Sequence, residues 1–228
     1  NGVVAKNRET GKLYTELTEA LRDAENATVV LLDDVTVGNL AINFGVTLDL
    51  NGYTLNAVRI GADSTSHIVD STNGKGLLKV SGTITLNSGN AAIPVKTTDG
   101  YRFTSLDFVT RYKDEEGYKV FSTYFAGEVG TDATSMLATQ LADGGADNNL
   151  TVRVKLTYTS LDESTSGNAV FNFSDALVQQ YAADWAKSDF RVNVRGAEKV
   201  ANLQAVLEIV AVVGDQEIVV SSKTIALQ

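Results

Sequence analysis

Between Leu13 and Leu55 the chain keeps stopping and restarting. A short amphipathic segment is followed by β-branched and apolar runs of a few residues each, cut off by Gly, Asn or Asp. The clearest run is Val46-Thr47-Leu48-Asp49-Leu50-Asn51-Gly52-Tyr53-Thr54-Leu55. At its centre, Asn51-Gly52 is a pair that tolerates the positive φ of a tight turn. Strands this short cannot bury an apolar face alone, so consecutive ones must stack on each other, as in a β-solenoid or a layered sheet. This pattern constrains architecture far more than chemistry.

The local signals fill in that outline. Leu17, Ala20, Leu21 and Ala24 follow the i, i+3, i+4, i+7 spacing of a helix that Thr15 can cap, with Glu16 and Glu19 near its positive end and its last turn near Asn26. Short strands are expected over 28–32, 35–37, 40–42, 46–50, 53–55 and 58–60, with turns at Asp33-Asp34, Gly38-Asn39, Gly45 and Asn51-Gly52. From Gly61 to Gly100 the pattern loosens. The segments 63–67 and 70–74 read as turns, 77–80 and 83–86 as one strand each, and the only proline, Pro94, sits between loops.

The succession Leu13-Tyr14, Leu17-Thr18-Glu19-Ala20-Leu21, Thr28-Val29-Val30-Leu31-Leu32 and the run through Leu55 resembles the opening of pectin-lyase-like right-handed β-helix modules of bacterial cell-surface, adhesin-like proteins. The resemblance covers about a quarter of the chain. It implies a helix that caps the open end of a solenoid, and a Leu-Asp-Leu-Asn-Gly segment that turns a rung. It also implies a secreted or cell-surface location more than any one activity, because members range from polysaccharide lyases to passive stalks. Here the rungs are expected to run out near Ile60 or Val69.

Beyond a junction placed at 93–100 the strands lengthen. Leu150, Val152, Val154, Leu156 and Tyr158 alternate with polar residues, and so do Phe190, Val192 and Val194, the mark of half-buried antiparallel strands. Segments 101–112, 118–125, 203–213 and 217–220 are further strands, with Gly214-Asp215 turning the last hairpin. Helices are expected over 131–141 and after Ser174, the latter with the stripe Leu177, Val178, Tyr181 and Trp185. The expected fold is mainly β: a helix-capped, right-handed β-helix-like domain over 1–96, then an antiparallel β-sandwich, immunoglobulin-like or jelly-roll-like, with two short helices over 97–228. The second region also bears a fainter resemblance to accessory sandwiches of bacterial surface proteins.

Composition narrows the function classes. Nineteen Lys and Arg against 28 Asp and Glu give a net charge of −9, which makes nucleic acid a poor partner. The absence of cysteine removes thiol catalysis and cysteine metal sites. No apolar run is long enough for a spanning helix. The chain opens at Asn1-Gly2 without methionine, which suggests a form from which a signal segment has been removed.

Candidate chemistry is sparse. The single histidine, His67, cannot form a histidine cluster, and its expected state is a loop residue hydrogen-bonded to backbone, flanked by Asp63 and Asp70. Asp143, Asp147 and Asn149 offer oxygens of the type Ca²⁺ accepts, without EF-hand spacing; we read the loop as an ordinary turn. Asp33-Asp34 and Asp114-Glu115-Glu116 are read the same way. Tyr101, Tyr112, Tyr118, Tyr124 and Tyr158 are weak candidates for a sugar-stacking surface, since most of them are expected to pack within the sheet. Asn26, Asn149 and Asn172 begin glycosylation acceptor patterns, idle in a bacterial source. Gly74-Lys75-Gly76 lacks the rest of a phosphate loop. No catalytic residue or cofactor is assigned.

The expectation is therefore a non-enzymatic, secreted or cell-surface structural or binding module. Its expected partner is an extracellular glycan or protein surface, with no nucleic acid and no membrane insertion. The alternatives are a carbohydrate-binding or polysaccharide-degrading protein on the same scaffold, and a fibre component of a phage or appendage.

Overall fold

The structure is a computed structural model that describes residues 2–104, 107–115, 118–126, 149–160, 166–172, 188–192 and 200–226. It is mainly β, and the described residues contain one short helix. The chain divides into two units. The first comprises Asn1–Leu106, Ala146–Asn149 and Ala211–Val220, and the second Asp107–Gly145, Leu150–Val210 and Ser221–Gln228.

The first unit begins with β1 (Ala5–Asn7), β2 (Leu13–Tyr14) and α1 (Leu17–Asp23), then runs through β3 (Thr28–Leu31), β4 (Val35–Ile42), β5 (Thr47–Asp49), β6 (Thr54–Ala62), β7 (His67–Val69) and β8 (Leu77–Val80). It continues with β9 (Ile84–Thr85), β10 (Ile93–Thr97) and β11 (Gly100–Thr104). The strands form two open sheets, one ordered β2-β1-β3-β5-β7 and the other β10-β11-β8-β6-β4, with β9 also on β6. From β3 to β8 the chain alternates between the sheets, and each strand lies parallel to the one two places earlier. Thr28, Thr47 and His67 share one register position, a step of roughly twenty residues. The longer step from Leu55 to Leu78 takes in the loop built around Asp70.

This stacking resolves the problem posed by such short strands. Val29, Leu48 and Ile68 fall in one register column and are wholly buried, as are Leu55 and Leu78 in the other sheet. Each column joins apolar side chains that no single segment could hide. The turns repeat with the strands. Asn51 and Gly52 have φ of 49° and 83°, and the Tyr53 N–H donates to the Leu50 carbonyl at 2.9 Å. Asn73 and Gly74 repeat the pair one layer on, at 55° and 93°.

Several local expectations change. Segments 35–37 and 40–42 are one strand, and 53–55 and 58–60 merge into another, because parallel partners carry the ladder past Gly38-Asn39 and Asn56-Ala57. β7 begins inside a segment read as a turn. The helix is preceded by Glu16, extended at φ −131° and making no side-chain cap bond, so Thr15 lies one residue too early to cap it. It stops at Asp23, before Asn26, whose φ of 47° already belongs to the turn into β3. Two turns of helix are marginal alone; burial of Leu17, Ala20 and Leu21 supplies what propensity does not.

The second unit holds β12 (Asp107–Glu115), β13 (Tyr118–Ala126), β14 (Leu150–Ser160), β15 (Ser166–Asn172) and β16 (Ser188–Val192). It also takes in most of β17 (Val200–Val213) and part of β18 (Gln216–Ala226). Two open sheets result, ordered β12-β13-β16 and β15-β14-β17-β18. The pairs β12 with β13, β13 with β16, and β14 with β15 are antiparallel. The strand expected over 101–112 is divided between β11 and β12, which belong to different sheets. β15, whose glycine and asparagines disguise it, was not expected. The helices expected over 131–141 and after Ser174 lie outside the described residues.

Candidate functional site

The buried carboxylates Asp49 and Asp70 are the first groups to test for chemistry. Asp70 accepts five hydrogen bonds: Oδ1 from the Gly52 and Thr72 N–H groups and the Thr72 hydroxyl, Oδ2 from the Gly74 and Gly76 N–H groups. Asp49 Oδ1 accepts from the N–H groups of Asn51 and Ser71, each at 2.9 Å, while Oδ2 pairs with the Arg8 guanidinium. Asn51 closes the network by donating its amide to the Leu31 carbonyl. These carboxylates neutralise backbone donors that a turn would otherwise leave unpaired. A Cβ on Gly76 would stand 2.8 Å from Leu50 Cβ and 3.0 Å from Asp70 Oδ2, so only glycine lets the chain approach this closely.

His67 is not the loop residue expected. It lies in β7, in register with Thr47, and is half-buried. Its Nδ1 is buried without a hydrogen-bond partner among the described residues, so the expected backbone bond is absent from that nitrogen. Asp63 accepts from the Ser64 N–H, and Asp70 is occupied by its own loop, so neither is shown orienting the imidazole. The reason is register: β5 sets the position of His67, whereas Asp63 and Asp70 belong to the turns on either side.

The other candidates are dispersed. Asp143 and Asp147 lie outside the described residues. Asn149 is buried, donating to the carbonyls of Pro94 and Val212 and accepting from the Lys96 N–H at 3.0 Å. Tyr112 lies in β12 and Tyr118 and Tyr124 in β13, opposite Phe121, Glu115 and Val109 respectively; Tyr158 is in β14. Tyr101 is half-buried in β11, and its hydroxyl accepts from the Gly214 N–H at 3.3 Å. It borders a cleft of about 410 Å³ whose walls also include Lys79 and Lys96. Sequence reasoning singled out Tyr101 but missed both lysines, which come together because β11 pairs on one side with its hairpin partner β10 and on the other with the sequence-distant β8.

At the amino end, Lys12 donates to Asp23 at 2.9 Å and lies 4.7 Å from the centre of the Tyr14 ring. The hydrogen bond to Asp23 holds the ammonium above its ordinary pKa and the carboxylate below its own. The pair is exposed and is of the kind that contributes little to stability. Among the described residues no helix is long and apolar enough to cross a membrane. Compared with protein-family models, curated proteins and solved structures, the chain matches none.

Proposed function

We propose that this chain is a non-enzymatic structural or binding module of a secreted or cell-surface protein. In this reading the first unit is a short, helix-capped right-handed β-helix, and the second an antiparallel β-sandwich that presents or spaces it. The alternation of β3 to β8 between two sheets, each strand pairing in parallel, supports the first part, and the strong right-handed preference of parallel crossovers supplies the handedness. The adhesin-like resemblance of residues 13–55 supports the location.

The observation that carries the non-enzymatic reading is the occupation of Asp49 and Asp70. General acid or base work needs a carboxyl group that can exchange a proton with substrate. These two accept from turn amides and Arg8, and among the described residues no group pairs with His67 Nδ1. A scaffold uses carboxylates in this way to fix its layers.

The test is incubation of the whole chain with a panel of neutral and acidic polysaccharides, following both reducing ends and unsaturated products, beside binding measurements on immobilised glycans and extracellular matrix proteins. The reading expects no turnover and saturable binding to at least one surface. Turnover above that of heat-denatured protein would overturn it in favour of a polysaccharide-degrading enzyme.

A further inference from the structure

We propose that Asn51 and Asn73 are sites of spontaneous deamidation that the Asp70 carboxylate holds latent. Both layer turns are Asn-Gly pairs, 51–52 and 73–74, with a positive φ at each asparagine. Asn-Gly is the dipeptide most open to this chemistry, because glycine carries no side chain to shield its nitrogen. The reaction is a ring closure. The glycine nitrogen gives its proton to hydroxide and attacks the asparagine Cγ; the new N–Cγ bond expels ammonia, and the succinimide left behind adds water and opens to aspartate or isoaspartate. Water is the only co-reactant, and nothing is oxidised or reduced.

Both nucleophiles are tied to one buried group. The Gly52 N–H donates to Asp70 Oδ1 at 3.0 Å and the Gly74 N–H to Oδ2 at 3.1 Å. Ring closure requires each peptide unit to turn its nitrogen towards its own asparagine Cγ, which breaks a charge-assisted hydrogen bond. The carboxylate also opposes the negative charge that grows on a nitrogen beside it. At Asn51 the electrophile is held as well: its amide donates to the Leu31 carbonyl at 2.9 Å, and its Oδ1 accepts from the Ser71 hydroxyl at 3.3 Å. Leu31 belongs to β3, one layer before, and Asp70 follows β7, one layer after. The two reacting groups are thus drawn towards opposite neighbours. Conversion at position 51 would put a carboxylate against the Leu31 carbonyl, and isoaspartate would add a main-chain atom to a turn whose flanking strand is in register on both sides. The same hydrogen bonds that fix the layers therefore keep the turns chemically intact, and a turn that has opened long enough to react does not close as before.

The experiment keeps the whole chain in mildly alkaline buffer and follows both turns by peptide mapping, with electron-transfer fragmentation to tell isoaspartate from aspartate. The native protein is expected to retain both amides while the chain in concentrated urea loses them. Asp70→Asn keeps the size of the side chain but offers one oxygen to two glycine amides. It should convert at Asn51, Asn73 or both about tenfold faster than the native protein, the effect of losing one charge-assisted hydrogen bond. Thr72→Val, which removes only the hydroxyl bonded to Asp70 Oδ1, should convert no faster than the native protein. If Asp70→Asn does not fold, the unmodified sequence decides: in urea below the unfolding transition, conversion at each asparagine should rise in proportion to hydrogen exchange at the glycine amide that follows it. Native conversion as fast as in concentrated urea, a folded Asp70→Asn no faster than native, equal acceleration by Thr72→Val, or conversion that does not follow glycine exchange would overturn the proposal.

Discussion

At its amino end the parallel stack meets apolar residues: α1 packs on β1, β2 and β4 and buries Leu17, Ala20 and Leu21, each at most 1% exposed, while β1 takes up the free edge of β3. At its carboxyl end apolar residues such as Leu86, Val213 and Ile218 are also buried, but carboxamides take over the closing of strand edges. Asn90 Oδ1 accepts from the Ile68 N–H and its amide donates to the carbonyls of Ile68 and Ala92, so one side chain stands where a further strand would pair with β7. Asn149 does the same along β10, bonding the Lys96 N–H and the Pro94 carbonyl. Pro94, which has no N–H to offer, is accommodated in this edge strand. Apolar closure hides side chains from water, whereas carboxamide closure satisfies backbone groups; the two should fail differently.

The largest expected effect is at the amino end. Leu21→Asp places a carboxylate in a site with 1% exposure and removes an apolar side chain, and should destabilise the first unit by roughly 4 kcal/mol. Urea unfolding of the whole chain checks this; an unchanged midpoint would break the comparison by showing that the helix closes nothing.

At the carboxyl end, Asn90→Leu keeps the branched four-atom side-chain skeleton, with some added bulk, but strands the Ile68 N–H and two carbonyls. A loss of roughly 3 kcal/mol is expected, together with faster hydrogen exchange at the Ile68 amide, which Leu21→Asp should not reproduce as a local effect.

Between the two ends, Gly45→Ala tests the layer contact itself. Gly45 has φ of 73°, and a Cβ there would stand 2.1 Å from Asn26 Oδ1, so a loss of roughly 2 kcal/mol is expected. Adding Asn26→Gly should return part of it. Thermal unfolding of the single and double variants decides whether the clash or the dihedral dominates.

The smallest effect is electrostatic. The Thr28 N–H donates to Glu9 and holds its carboxyl below the ordinary carboxylate range. A depressed folded-state pKa gives stability that is present above the unfolded pKa and is lost as pH falls through the folded value. Glu9→Gln should therefore remove a small stabilisation at neutral pH and none below the folded pKa, so urea unfolding across pH should show a slightly flatter acid limb; the effect is small because the group is exposed.

The same contrast explains what could be read from the amino-acid sequence. Leu17, Ala20, Leu21 and Ala24 announce the apolar lid because burial leaves a period, and Asn51-Gly52 announces a layer turn because few other pairs accept its dihedrals. Asn90 and Asn149 leave no period, and asparagine is equally at home in a solvated loop. His67 was misplaced for a related reason: its strand is three residues long and is defined by its partner β5, not by its own composition. The cleft lysines stayed hidden because sheet order, which local pattern does not encode, brings Lys79 and Lys96 to one place.

The account stands on the parallel layer register, and a chain without cysteine allows a direct test of it. Thr36 and Asn56 are register partners on β4 and β6, with side chains in contact at 3.5 Å, and Lys79 is one strand further on. Adjacent strands are roughly 5 Å apart and alternate ones roughly 10 Å, while a disulfide tolerates a Cα separation of no more than about 7 Å. Under mild oxidation, Thr36→Cys with Asn56→Cys should cross-link within the monomer, and Thr36→Cys with Lys79→Cys should not. Cross-linking of the second pair in preference to the first would contradict the stacking order from which the rest of the account is built.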